Sequence, residues 1–347
     1  MVRYRALPSL EAEEILDYAF EFMNLEKKKK AHQNIERFHK NFGSDPLVIS
    51  DIWADLISQK IITTKKDRSD WGLIRFFVAI HFMWAYPRSA DLLAQAFDDS
   101  ISVNDCYGKP LWIWVQRIGA LKSYVIVFDP ELELGAINIA TVDGTDFLTN
   151  EQKTGEFNID SKMMSHKFHH GGLKHIIAIS IWRAKMVYLS TSTRGGESDK
   201  NMYMEELHDL IPEGKCVICD RAFASSDDKD EESAAVAKKL RQINDDADSD
   251  KVKKFKARAL ARHETLNGRL KNYAILRSYF RHDKENHGDA FEAVCVMVQY
   301  QMDRGHPIFD SLSPDMVAEE KSDESSSNDK SDNPRPKKKA KKNKRRG

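Results

Sequence analysis

Cysteine is scarce in this chain, with four residues in 347. Four cannot build a disulfide framework at this length, which points to a reducing compartment. Long apolar runs are missing as well. None reaches the roughly 20 residues needed to span a bilayer, and the opening MVRYRALPSLEAEE has no apolar signal core. No membrane role is expected. Nor does either sign of charge dominate, with 54 basic against 54 acidic residues. That balance hides segregation along the chain, so a polyanionic partner stays open. What is present suits a folded protein: 41% of residues are hydrophobic and 31% charged, and the length suggests about two domains.

Residues 1–125 read as an all-helical region. Pro8-Ser9 offers a helix start, apolar residues recur at Ile15, Ala19 and Phe22 and again at Ile35, Phe38 and Phe42, and Gly43 offers a stop. A further helix is expected after Ser50, then a buried one over Leu73–Tyr86. Ser89–Leu121 has the outline of a helix-turn-helix. Gly108-Pro110 should disrupt its second helix, and Trp112 and Trp114 suit a core, so DNA reading competes here with helical packing.

From 134 to 305 the pattern changes. Leu134–Phe147 reads as a strand, followed by a polar connection containing SHKFHHGGLKH. Ile176–Trp182 and Met186–Thr191 suit a hairpin. Asp199–Ile211 is helical in pattern and Cys216–Cys219 is a short buried strand. Residues 227–250 form an acidic, Ser/Asp-rich insertion; a basic helix runs from about Lys251 to Tyr273, and an apolar one from Asp289 to Met302. Three strands, a helix, a strand and a late helix match the order of an RNase H-like α/β domain. Residues 311–347 are low complexity and expected to be disordered. Their acidic serine-rich start passes into a basic end where nine of residues 335–346 are Lys or Arg, a pattern for nuclear localisation or an electrostatic nucleic-acid arm.

Three acidic residues stand in distinctive settings: Asp143 in AINIATVDGTDF, Asp220 in GKCVICDRAF and Glu264 in ARALARHETLNGRLK. Two end apolar runs and one sits on the basic helix. Carboxylates brought by adjacent strand ends and a helix can hold two divalent cations about 3.5–4 Å apart, the arrangement of metal-assisted phosphodiester chemistry. Each has a plainer reading: Asp143-Gly144 is also a turn signal, Asp220 can cap, and Glu264 can join an ion-pair network. Lys271 lies two helical turns from Glu264 on the same face, and Arg262 and Arg269 flank it as candidate phosphate contacts. The lone C-x-x-C of Cys216 and Cys219 suits a core better than zinc. His166, His169, His170 and His175 suit a polar loop.

In order, VDGTDF, SHKFHHGGLKH, GGESD, CVICDRAF, RHETLNGRLKNYAILRSYFRH and AFEAVCVMVQYQ resemble the motifs of PIF/Harbinger-type transposases, the DDE superfamily endonucleases, over roughly residues 40–305. The resemblance implies an RNase H-like core, dependence on Mg2+ or Mn2+, and cleavage and strand transfer on double-stranded DNA. Asp143, Asp220 and Glu264 would be the catalytic metal ligands. It also implies a separate Myb-like DNA-binding partner and, on DNA, a homo-oligomer. Asp146 falls on the opposite strand face from Asp143, and Asp199 in GGESD suits a helix cap. The segment after Asp220 departs from the family pattern: Arg221-Ala222-Phe223 leads into DDKDEES, with no clear fifth strand. Two other readings stay open, a domesticated DNA-binding protein that does not cut and a chromatin scaffold acting through its tail.

Overall fold

The computed structural model describes residues 5–98, 100–129, 137–150, 153–154, 158–159, 161–220, 223, 239–243 and 248–311. Much of the acidic insertion, Arg221-Ala222 and the tail beyond Ser311 lie outside the described residues, as do Leu134–Ala136 at the expected start of the first strand.

Seven helices come first: α1 Ala12–Phe22, α2 Ala31–Phe42, α3 Pro46–Ser58, α4 Asp70–Ala85, α5 Ala90–Gln95, α6 Gly108–Ala120 and α7 Lys122–Val125. Residues Gly72 to Met83 of α4 are all buried, as its mostly apolar sequence demands, with Arg75 paired to Asp105 and His81 bonded to Asn41 O. Gly43 ends α2 with φ +67°, and a Cβ there would strike the Trp84 ring, so glycine is required twice over. The start expected after Ser50 is corrected. Helix α3 begins at Pro46, whose missing N–H costs nothing in a first turn, and Ser50 lies inside it, donating to Leu10 O at 2.5 Å. Gly108-Pro110 likewise opens α6 rather than breaking it. Trp112 and Trp114 are buried, the core role their type suggested.

The strands that follow are β1 Asn138–Leu148, β2 Lys153–Thr154, β3 Asn158–Ile159, β4 Met164–Ser165, β5 His170–Ser180, β6 Met186–Leu189, β7 Thr193–Arg194, β8 Cys216–Cys219 and β9 Leu240–Gln242. Helix α8 (Asp199–Glu206) precedes β8. Helices α9 (Asp250–Leu270), α10 (Ala274–Arg277) and α11 (Glu285–Asp303) close the described chain. The main sheet is mixed. Strand β5 pairs antiparallel with β1 on one side and with β4, β6 and β7 on the other, while β1, β8 and β9 run parallel. All four residues of β8 are buried, as a parallel strand covered on both faces requires. The fifth strand that the sequence left without a signal is β9, whose Leu240 pairs with Val217.

One face of the sheet packs Ala140, Val142, Ile176 and Ala178 against Met202 and Tyr203 of α8. On the other, Phe147, Ile177 and Ile179 join Leu266, Phe291 and the N-terminal helices in a continuous core. The structure is thus mixed α/β with helices leading.

The polar loop expected around the histidines is corrected too. His170 and His175 belong to β5. His175 is fully buried, stacks on Phe291 with ring centroids 3.8 Å apart, and meets His287 at 3.2 Å. Burial holds both imidazoles below their usual range, His287 at about 3.

Candidate active site

Strands β1 and β8 are neighbours and parallel, with Thr141 opposite Ile218. Two residues further along each strand direction stand Asp143 and Asp220. Pairing with β8 stops at Thr141, so β1 runs on with one edge open. A cavity of about 610 Å³ fills that gap, and Asp143, Asp146, Asp199, Asp220 and Glu264 all line it.

Glu264 arrives from α9, which is docked by its neighbour in sequence. His263 is buried and its Nε2 meets Thr141 Oγ1 at 2.9 Å. Burial drives that imidazole down to about 3, so it stays neutral. With His263 turned to the sheet, the next residue faces outward into the cavity, and Glu264 is exposed there.

Charge crowding marks the site. Burial pushes the Asp143 carboxyl up to about 7; Asp220 and Asp199 push the same way, the Gly144 N–H opposes them, and Glu264 adds to the rise. Asp199 is also raised, by burial first, with Lys174 pulling it back and Asp146 and Asp220 adding to the rise.

Lys174 is the internal cation that the sequence did not flag. Its Nζ lies 3.0 Å from Asp199 Oδ1 and 3.9 Å from Asp146 Oδ1, and it donates to Glu197 O at 2.8 Å. Asp146 and Lys174 face each other across the β1–β5 ladder, and Asp146 Oδ2 also accepts from Ser165 Oγ at 2.6 Å. The cap role expected for Asp199 is corrected. Ser198 caps α8, accepting from the Asn201 N–H, which leaves the Asp199 carboxylate to turn into the cavity. The signal was available in GGESD, where Ser precedes Asp at the helix start.

The three flanking cations fare differently. Arg262 is corrected from a DNA contact to a structural clamp. It is 1% exposed, and its guanidinium donates to Ser180 O, Ile181 O and Arg183 O, tying α9 to the turn after β5. Arg269 binds His306 O and Pro307 O, outside the cavity lining, so its guanidinium secures the C-terminal segment. Lys271 sits nearer the site. Its ammonium lies 5.6 Å from the Phe147 ring centre and 5.8 Å from that of Phe168. Burial and Lys167 lower its pKa, while Asp146 and Glu264 oppose the shift.

Cys216 and Cys219 are buried free thiols, with Cys219 pushed up to about 12 by burial, so they are core residues and poor metal ligands. Among the described residues no three His, Cys, Asp or Glu side chains stand together as a ready metal-binding group. The cavity carboxylates share a space without converging on a point. Comparison with protein-family models, curated proteins and solved structures finds no match to this chain.

Proposed function

We propose that this chain is a divalent-metal-dependent DDE transposase or endonuclease with an RNase H-like core, cutting double-stranded DNA and transferring its strands. One observation carries the reading. Asp143, midway along β1, and Asp220, just past the end of the parallel strand β8, face Glu264 of α9 across one cavity. The sheet supports it, with β1, β5 and β6 antiparallel and the parallel strands β8 and β9 added beside β1.

The donor set fits a hard dication, because carboxylates dominate the cavity lining, with His166 the one imidazole in it, and burial and acidic neighbours raise the charge on Asp143 in energy. Asp143, Asp220 and Glu264 would hold Mg2+ or Mn2+, whose contribution is to activate water and stabilise the leaving oxygen. The remaining work belongs to the chain. Asp143, whose charged form burial and its acidic neighbours disfavour, would release its proton to solvent if a cation neutralised the site. Lys174 holds Asp199 and Asp146 in place, His263 fixes the rotation of α9, and Lys271 and Lys167 stand near enough to the cavity to meet phosphates.

Supercoiled plasmid incubated with the protein should be nicked or linearised in Mg2+ and remain intact in EDTA. Intact plasmid in both would remove the catalytic reading. A second reading, a non-cutting DNA-binding protein on the same fold, is favoured by the lack of a ready metal-binding group among the described residues. It is distinguished by DNA binding that needs no metal and leads to no cleavage. Under either reading the basic tail supports a nuclear protein; the transposase reading adds a homo-oligomer on DNA beside the Myb-like partner that the family resemblance implies.

A further inference from the structure

A second cavity, of about 650 Å³, opens between the start of α6 and the segment before α11. Its chemistry is the reverse of the acidic site. Arg88, Lys109, Arg281 and His282 line it, against the single carboxylate of Asp283.

Of these four, Arg281 is held and His282 is caged, its imidazole kept below its usual range by burial and by Arg281, while Arg88 and Lys109 are open. The Arg281 guanidinium donates to Tyr86 O at 2.9 Å and Pro87 O at 3.0 Å and lies 4.1 Å from the Tyr86 ring centre. It is fixed before any ligand arrives. His282 sits among the rings of Phe82, Tyr86, Trp112 and Phe280, all with centroids within 5.7 Å. Arg88 and Lys109 are exposed, and among the described residues their side chains have no hydrogen-bond or ion-pair partner. Tyr107, 69% exposed, stands at the rim. Exposed cations beside an exposed aromatic ring are the furniture of a nucleic-acid groove.

The cleft's position relates it to the acidic cavity. The Phe280 N–H donates to Leu148 O at 2.9 Å and Phe280 pairs with Thr149, so Arg281 and His282 follow directly from the far end of β1. From Asp143 to Thr149 is six strand steps, about 20 Å at ~3.3 Å per residue. That is the span of about six nucleotides at ~3.4 Å each along one strand. Lys167 lines the acidic end of this path, Lys271 stands beside Phe147 further along it, and exposed Tyr279, paired with His170 at 6.4 Å, lies beside it.

We infer that the Arg88–Lys109–Arg281 cleft seats the phosphodiester backbone of duplex DNA about six nucleotides from a scissile phosphate at Asp143. The distance rests on the nuclease reading; the backbone binding does not. It also gives Ser89–Leu121 a DNA role different from base reading by a helix, since only the exposed start of α6 meets the backbone.

The test is anisotropy of a labelled 30-bp duplex titrated with the full chain in EDTA across a KCl series. Arg88→Gln/Lys109→Gln is compared with wild type, with Asp220→Asn, and with Lys28→Gln/Lys29→Gln as an equal charge loss elsewhere. The cleft pair should weaken binding at least tenfold at low salt and shallow the log–log salt slope by about 1.8, or 0.9 for each lost phosphate contact. The control pair should do neither, and all variants should melt like wild type. Binding and slope unchanged in the cleft pair, or changed equally in the control pair, would overturn the inference. So would displacement of the duplex by sodium phosphate beyond that of KCl at equal ionic strength, which would make the cleft a free-phosphate site. Asp220→Asn and wild type are also assayed for cutting in Mg2+. If neither cuts while the cleft pair still loses binding, the nuclease reading falls and the cleft stands.

Discussion

Gly144 and Asp199 are in close contact: a Cβ at position 144 would stand 2.6 Å from Asp199 Oδ1 and 2.9 Å from Oδ2, so any larger residue there must displace that carboxylate. The strand residue after Asp143 is therefore small because a second carboxylate occupies the space its side chain would take. Through this contact α8 and β1 together set the spacing of the acidic cavity.

Gly144→Ala is accordingly expected to move Asp199 rather than unfold the protein, since a carboxylate end can swing aside. Thermal melting should show a loss of about 1 kcal/mol or less, while Mg2+-dependent cleavage falls at least tenfold. A variant that cuts like wild type would show that the Asp199 position is immaterial.

The Asp143 carboxyl supplies a pH signature. Its folded pKa is raised to about 7, so between the ordinary carboxylate range and 7 the folded state holds a proton that the unfolded chain has lost. Stability contributed by this group therefore falls as pH rises through that window, and the penalty is complete above 7. Asp143→Asn should be more stable than wild type at pH 8, by roughly 1–3 kcal/mol once solvent screening is allowed for. The gap should close near pH 4. Urea denaturation at the two values checks it, and an equal gap at both would contradict the charge crowding.

The same crowding makes the fold responsive to cations. At pH 8, Mg2+ at a hundred times its dissociation constant should stabilise wild type by about 2.7 kcal/mol, read as a rise in melting temperature. Asp220→Asn should lose most of that rise. No rise in wild type would argue that the carboxylates do not close on a metal.

Arg262 should behave as part of the core. Arg262→Met strands the carbonyls of Ser180, Ile181 and Arg183, and urea denaturation should show a loss of about 3 kcal/mol or more. Weakened DNA binding with unchanged stability would restore it to the DNA surface.

The end of β8 was legible because a short apolar run such as Cys216–Cys219 has one compact reading and Asp220 follows it, whereas β1 runs on past Asp143 to Leu148. The long helices were legible from their periodicity, although α3 starts at Pro46, a cue outweighed by Ser50. The rest was hidden for physical reasons. Strand β9, Leu240–Gln242, is three residues long with two polar ones, and only pairing with β8 makes it a strand. His175 looks polar in sequence but lies under Phe291, more than a hundred residues away. A basic helix does not announce which arginine turns inward, so Arg262 was indistinguishable from a surface cation. Lys174 and Asp199 meet only because β5 and α8 converge on β1.

The most direct measurement is cleavage of supercoiled plasmid by wild type, Asp143→Asn, Asp220→Asn and Glu264→Gln in Mg2+, with folding of each verified by its melting curve. Wild type is expected to cut in a metal-dependent way and every variant to lose at least a hundredfold, with duplex binding in EDTA retained. A folded Asp220→Asn that cuts as fast as wild type would contradict it.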